Sequence, residues 1–161
     1  MKLSVNKEQI IEGLQKAAAI IPAKAGAAYL RSIWLKAEKG SLSIMATDAN
    51  IEFTGRYPAE VKQPGLIGVQ GRAFVDLVRQ LPAGVLQLTL DESTGNLLLE
   101  QGRRTYKLPV SGAEWFQNFS EFPAESPVTW SGDFLQDVLD RVVFCISDDD
   151  VCCEASKNEI V

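Results

Sequence analysis

Histidine is absent from this chain. That removes the side chain that titrates near neutral pH, and with it the Ser-His-Asp and Cys-His nucleophilic sites. The three cysteines, Cys145, Cys152 and Cys153, all fall near the C-terminus. Without histidine they would need a carboxylate to complete a four-ligand zinc site, and a late cluster is not a disulfide framework. Cys152-Cys153 reads as part of a polar tail rather than a redox pair. The run Asp148-Asp149-Asp150 could suggest magnesium, but such sites combine one or two carboxylates with waters and substrate phosphates from separate elements. A solvated loop just past a helix end is the expectation instead. What remains is binding chemistry. Arg72 and Arg79 share the polar face of one predicted helix with Asp76 between them, and Lys24 stands among small residues in a loop. Taken alone, exposed charges of this kind are ordinary solvated surface.

The totals narrow the field further. A chain of 161 residues is long enough for a real core in one or two domains. No apolar run reaches the roughly 18 residues a membrane span needs, and the N-terminus turns polar too early for a signal peptide, so a cytoplasmic protein with no membrane partner is expected. A net charge of −5 argues against tight, nonspecific nucleic-acid binding, which rests on neutralised phosphates. It leaves room for a local basic face. With no metal cluster and no phosphate-cradling glycine loop, an enzyme is not expected, and no cofactor is.

The elements that must position these residues form a repeat. Residues 65–82, GLIGVQGRAFVDLVRQLP, read as an apolar strand, a glycine turn and a helix with Phe74, Leu77, Val78 and Leu81 on one stripe, ended by Pro82. The same unit occurs near the start, with Ile10, Leu14 and Ala17 on the stripe and Gly13 in place of Leu77. It occurs again near the end, with Leu135, Val138, Leu139 and Val142. Three copies at a roughly 60-residue spacing make an internal repeat. Asn6 followed by Gln9 predicts a capping box at the first helix. After that helix, residues 33–37, 41–46 and 51–57 predict three strands, joined by a Lys39-Gly40 turn and by Asp48 and Asn50 turn chemistry. Period-two alternation predicts one buried and one wet face. Residues 86–90, 96–100 and 104–108 repeat the plan, giving βαβββ twice over and an α+β core. Residues 111–127 are expected to be an irregular linker with aromatics packed on the preceding body.

Several of these stretches, in this order, carry a likeness. LSIMATDANIEF, VQGRAFVDLVRQLP and the QGRRTYKL hairpin, within two βαβββ halves and a third copy starting at once, resemble the N-terminal domain of the bacterial sliding clamp, the β subunit of DNA polymerase III. The resemblance implies a DNA clamp fold. Residues 1–120 would be the clamp N-terminal domain, and residues 121–161 an incomplete start of the central domain, its first strand and helix, with a divergent tail. It implies a non-catalytic processivity factor for DNA replication that encircles double-stranded DNA as a head-to-tail homodimer and tethers the replicative polymerase. Polymerase III subunits and the clamp loader would be its partners, through domains missing here. Lys24, Arg72 and Asp149 match positions the family places near DNA, although an acid at 149 should repel phosphate. Arg103, Tyr106 and Leu108 match the strand that meets the partner subunit.

Two departures stand out at Ala28-Tyr29-Leu30, where the family often has Pro-Ile-Leu, and at Trp115-Phe116-Gln117, where it has Asp-Phe-Pro. The tail after Val151 departs further. The chain therefore reads as truncated, and a frameshift, a gene fragment or a cloned piece would each give that pattern. A fragment of this kind is not expected to close a ring alone. The alternative is a stand-alone interaction module pairing through the sheet edge at residues 104–108, where Tyr106 and Leu108 would form either an exposed apolar edge or core.

Overall fold

Each repeat opens with a strand that runs straight into a helix. In the computed structural model, which describes residues 1–22, 28–116 and 129–145, β1 (Lys2–Asn6) leads into α1 (Lys7–Ile20). A short 3-10 turn (Ala28–Arg31) precedes β2 (Ser32–Glu38), β3 (Ser41–Thr47), β4 (Glu52–Pro58) and β5 (Glu60–Gln63). The second repeat comprises β6 (Gly65–Gln70), α2 (Gly71–Gln80), β7 (Val85–Asp91), β8 (Asn96–Gln101) and β9 (Arg104–Ser111). The chain divides into two units, Met1–Phe119 and Ser120–Val161. Among the described residues no helix is long and apolar enough to cross a membrane.

The strands of the first unit form one sheet in the order β4-β3-β2-β6-β9-β8-β7-β1-β5, and every pairing is antiparallel. β5 was not foreseen as a strand of its own. It continues β4 past Pro58 and Ala59 and leaves β3 to pair with β1. β9 does the same in the second repeat: residues up to Pro109 pair with β8, and Val110 and Ser111 pair with β6. A proline therefore sits at both corners, where a strand changes neighbour and a ladder N–H is dispensable. The first strand of each repeat lies between the last strand of its own repeat and the second strand of the other, β1 between β5 and β7, β6 between β9 and β2.

Both helices bury their stripes in one core. Ile10, Leu14 and Ala17 of α1 meet Phe74, Val75 and Val78 of α2 and the inward residues Leu35, Ile44, Leu88 and Leu99. Each large apolar side chain buried this way contributes roughly 1.5–3 kcal/mol before entropy is subtracted. The α2 stripe is rotated from the one expected: Val75 is buried and Leu77 only half-buried. α1 packs on α2, β3 and β4, and Tyr57 of β4 explains why the first repeat carries Gly13. A Cβ built at Gly13 would lie 1.8 Å from the Tyr57 hydroxyl and 2.3 Å from its ring carbon Cζ. The ring takes the space of the missing side chain.

Three local expectations are corrected. Asn6 makes no side-chain cap bond: it is the last rung of β1, paired with Val85, and the Lys7 N–H donates instead to the Gly84 carbonyl at 3.0 Å. β2 and β3 are buried on both faces rather than one. Trp34 and Met45 are cross-strand partners on the face away from the helices, Gly68 lies opposite Trp34, and the Phe116 ring meets Trp34 edge-on at 5.2 Å. The expected irregular linker begins later than residue 111, since β9 runs to Ser111 and a 3-10 turn (Ala113–Trp115) follows. Phe116 packs on the body as expected, whereas Trp115 is exposed.

In the second unit, α3 (Gly132–Val142) is capped by the Ser131 hydroxyl, which accepts from the Phe134 N–H at 3.2 Å. Thr129 and Trp130 are not in a strand, because a lone strand has no neighbour to take its backbone groups. Lys24, residues 117–128 and the acidic and cysteine tail at 148–153 lie outside the described residues.

Lys7 joins the repeats through a side chain as well. Its ammonium donates to the Arg79 and Leu81 carbonyls, so the first residue of α1 closes the C-terminal end of α2. Lys7→Met should lower unfolding free energy by ~1 kcal/mol, read from the urea midpoint at constant m-value. Gly13→Ala should cost about 1–3 kcal/mol by overpacking against Tyr57. In a Tyr57→Ala background the same change should reverse sign, because the ordinary helix preference for alanine over glycine then prevails; destabilisation in both backgrounds would remove Tyr57 as the cause.

Candidate nucleic-acid interface

The two helices lie side by side and leave a groove of about 490 Å3 between them. Ala18 and Ala19 of α1 form one wall, and their small side chains let the other helix approach. Arg72, Val75, Asp76 and Arg79 of α2 form the facing wall. The spacing of Arg72 and Arg79 puts both on the exposed stripe, opposite buried Phe74 and Val78. Among the described residues neither guanidinium forms an ion pair. The remaining charge on α1 is balanced in place. Lys16 binds Glu12 at 2.7 Å, which raises the lysine pKa and lowers that of the carboxyl through their mutual hydrogen bond and attraction. Both groups are fully exposed, so the pairing matters for the local field more than for stability. The helix face is thus close to neutral with its uncompensated positive charge on α2.

Arg72 occupies the first turn of α2, which contains no acidic residue. Beyond it lies a smaller cavity of about 160 Å3, lined by Ile21, Pro22, Arg31, Gln70 and Arg72. Arg31 was not singled out from the sequence: it sits at the end of a 3-10 turn, far along the chain from Arg72, and only the fold brings them together. Lys24 and Asp149 lie outside the described residues.

The other three predicted residues lie on the far hairpin of the second repeat. Arg103 is exposed in the turn between β8 and β9. Tyr106 and Leu108 pair with Leu99 and Leu97 of β8 and face the same side. Leu108 is 8% exposed and belongs to the core, and Tyr106 packs half-buried against it. Of the two readings left open for this edge, Leu108 takes the core one. What the edge offers is main chain: residues 104–109 pair with β8 alone among the described strands, and β9 meets β6 only from Val110 onward.

With that geometry in view, the similarities to known proteins are specific. Residues 1–120 match the family described as the DNA polymerase III beta subunit, N-terminal domain. The beta sliding clamp of Vibrio cholerae is 27% identical over 152 residues, covering 94% of this chain and 41% of that protein. The solved structure of Caulobacter crescentus pol III beta superposes with a TM-score of 0.87 at 26% identity, over 94% of this chain and 41% of that one. The sliding clamp of Bacillus subtilis, at 19% identity and a TM-score of 0.88, shares the fold. The chain spans about two fifths of the length of these relatives. It belongs to the DNA polymerase III beta subunit family, matching that family's N-terminal domain.

Proposed function

We propose that this chain provides the first domain of a DNA sliding clamp, a non-catalytic processivity factor that surrounds duplex DNA in the cytoplasm and keeps a replicative polymerase on its template. The observation that carries the reading is the placement of α1 and α2. The equivalent helices of both repeats lie side by side against one core, with Arg72 and Arg79 exposed toward solvent and, among the described residues, no carboxylate paired to either. A near-neutral helix face suits a protein held on DNA by topology, since it need only avoid repelling phosphate. Arg72 is assigned a backbone phosphate contact; Lys24 and Asp149 are retained as DNA-facing positions on the strength of the family resemblance alone. Tethering of polymerase and clamp-loader subunits would fall to the other three fifths of a full-length clamp.

The β9 edge fits a head-to-tail homodimer contact in which a partner strand pairs with the main chain of residues 104–109, flanked by Arg103 and supported from behind by Tyr106 and Leu108. That same free edge favours a second reading, an interaction module that pairs with another protein's sheet without encircling DNA.

Duplex binding by the chain alone should be weak, with a log–log salt slope of about −2 to −3 from two or three phosphate contacts. Arg72→Gln should weaken binding and reduce the slope by at most about 1, measured by fluorescence anisotropy on a labelled duplex. Retention of closed circular plasmid at high salt would overturn the expectation that this chain alone forms no ring. Co-elution with the Caulobacter crescentus clamp on size exclusion, lost on Tyr106→Lys with the melting temperature unchanged, would support the edge contact. Elution unaltered by that substitution removes the edge from both readings.

A further inference from the structure

Arg31 and Arg72 arrive at one cavity from opposite ends of the first unit's chemistry. Arg31 closes the 3-10 turn that feeds β2, and Arg72 sits in the first turn of α2; Gln70 stands between them as the last residue of β6. The cavity they share measures about 160 Å3, and its remaining walls are Ile21 and Pro22. Among the described residues no carboxylate lines it. The acid nearest along α2, Asp76, lines the larger inter-helix groove instead. Five basic side chains are answered, Lys16 by Glu12, Lys36 and Arg56 by Glu38, Arg141 by Asp137, and Lys7 by the carbonyls ending α2; what sets Arg31 and Arg72 apart from the other unpaired cations is that the two line one cavity. Arg31 and Arg72 are exposed and make no ion pair among the described residues.

Arg31 and Arg72 both line this small space; two guanidinium groups brought close repel one another unless an anion lies between them, and a planar fork of N–H donors suits a tetrahedral oxyanion. Gln70 adds a neutral donor at the same mouth. The first turn of α2, free of acid, leaves the local potential positive. The apolar floor of Ile21 and Pro22 displaces water and strengthens whatever charge contact forms above it.

We infer that Arg31 and Arg72, with Gln70, clasp a single backbone phosphate of duplex DNA, so that Arg31 is a second phosphate-binding residue acting jointly with Arg72. The inference rests on the DNA-encircling reading and narrows it: one cavity of this size takes one phosphate, and the two arginines share it. Arg31 also borders a neighbouring cavity of about 250 Å3 lined by Ser32, Gln70, Pro109, Val110 and Ser111. That side carries no second charge, so the shared cavity is where an anion gains from both cations.

Sharing has a measurable consequence. Independent contacts would each remove about one unit of salt slope, and a double variant about two. A shared phosphate counts once. With the full chain and a short labelled duplex, Arg31→Gln and Arg72→Gln should each weaken binding with a slope change below about 1, and the double variant should lose about 1 in total. Lys39→Gln, an exposed turn residue, serves as the control, with melting temperatures recorded throughout. In parallel, the arginine Nε–Hε resonances are followed by NMR during titration with the duplex and, separately, with inorganic phosphate. Joint movement of the Arg31 and Arg72 signals on duplex addition is expected. If Arg72 responds and Arg31 does not, the shared clasp is overturned while the clamp reading stands. A double-variant loss of about two units overturns sharing in the same way. Movement with inorganic phosphate but not with duplex makes this a free-anion site and overturns the duplex contact. A chain whose duplex binding is indifferent to all three variants overturns the inference and the DNA-facing role of α2 together.

Discussion

The architecture depends on an exchange of strands between the two repeats. β1 takes one neighbour, β5, from its own repeat and the other, β7, from the second; β6 is placed the same way between β9 and β2. A repeat cut out of this arrangement would expose two unpaired edges and one side of a helix, and short isolated sheets are marginal in water. Exchange satisfies those edges reciprocally. It also fixes handedness of placement: each helix follows directly from an exchanged strand, so both must emerge on the same side of the sheet and meet over one core. The Lys7 ammonium on the α2 carbonyls and the Lys7 N–H on Gly84 tie the two repeats again at the point where β1 turns into helix.

Electrostatics follow from that placement. With α1 and α2 adjacent, the sum of their charges is what a ligand meets, and the pairing of Lys16 with Glu12 cancels most of the α1 contribution. Arg72 and Arg79 carry what remains, with Asp76 between them limiting its strength. An acidic chain thereby presents a helix face that does not repel a polyanion, without the dense basic surface that would hold one by attraction alone. Such a balance suits contact that must be made and released repeatedly.

How much of this was legible in the sequence divides by distance along the chain. Period-3.6 and period-two patterns are local, and they located α1, α2 and eight of the nine strands within a few residues, together with the Asp48 turn; Asp91, which opens the turn between β7 and β8, was not singled out. Both aspartates accept the turn hydrogen bonds that hold their carboxyls below the usual range. What failed was decided by partners remote in sequence. Val75 replaced Leu77 on the buried stripe because the core lies between α1 and the sheet, not under an isolated helix. The second face of β2 and β3 is covered through Trp34 and Phe116, eighty-odd residues apart. β5 exists because β1 needs a neighbour, and Asn6 gave up its cap because β7 already held its backbone. Arg31 looked like any charge before an apolar strand; its proximity to Arg72 is a property of the folded sheet.

The third copy isolates what periodicity can specify. α3 carries the same apolar positions as α2, and its N-terminus is better formed than that of α1, with the Ser131 cap in place and Trp130 meeting Phe134 edge-on at 5.6 Å. Yet Leu135, Leu139 and Val142 are each 40% exposed or more. The helix is specified by its own residues, while burial of its stripe is not. In the first unit the same stripe is covered only because a strand from one repeat is lodged in the sheet of the other, and among the described residues of the second unit no strand plays that part. Helix propensity and capping therefore account for where the helices are, and strand exchange accounts for why two of them became the wall of a shared core.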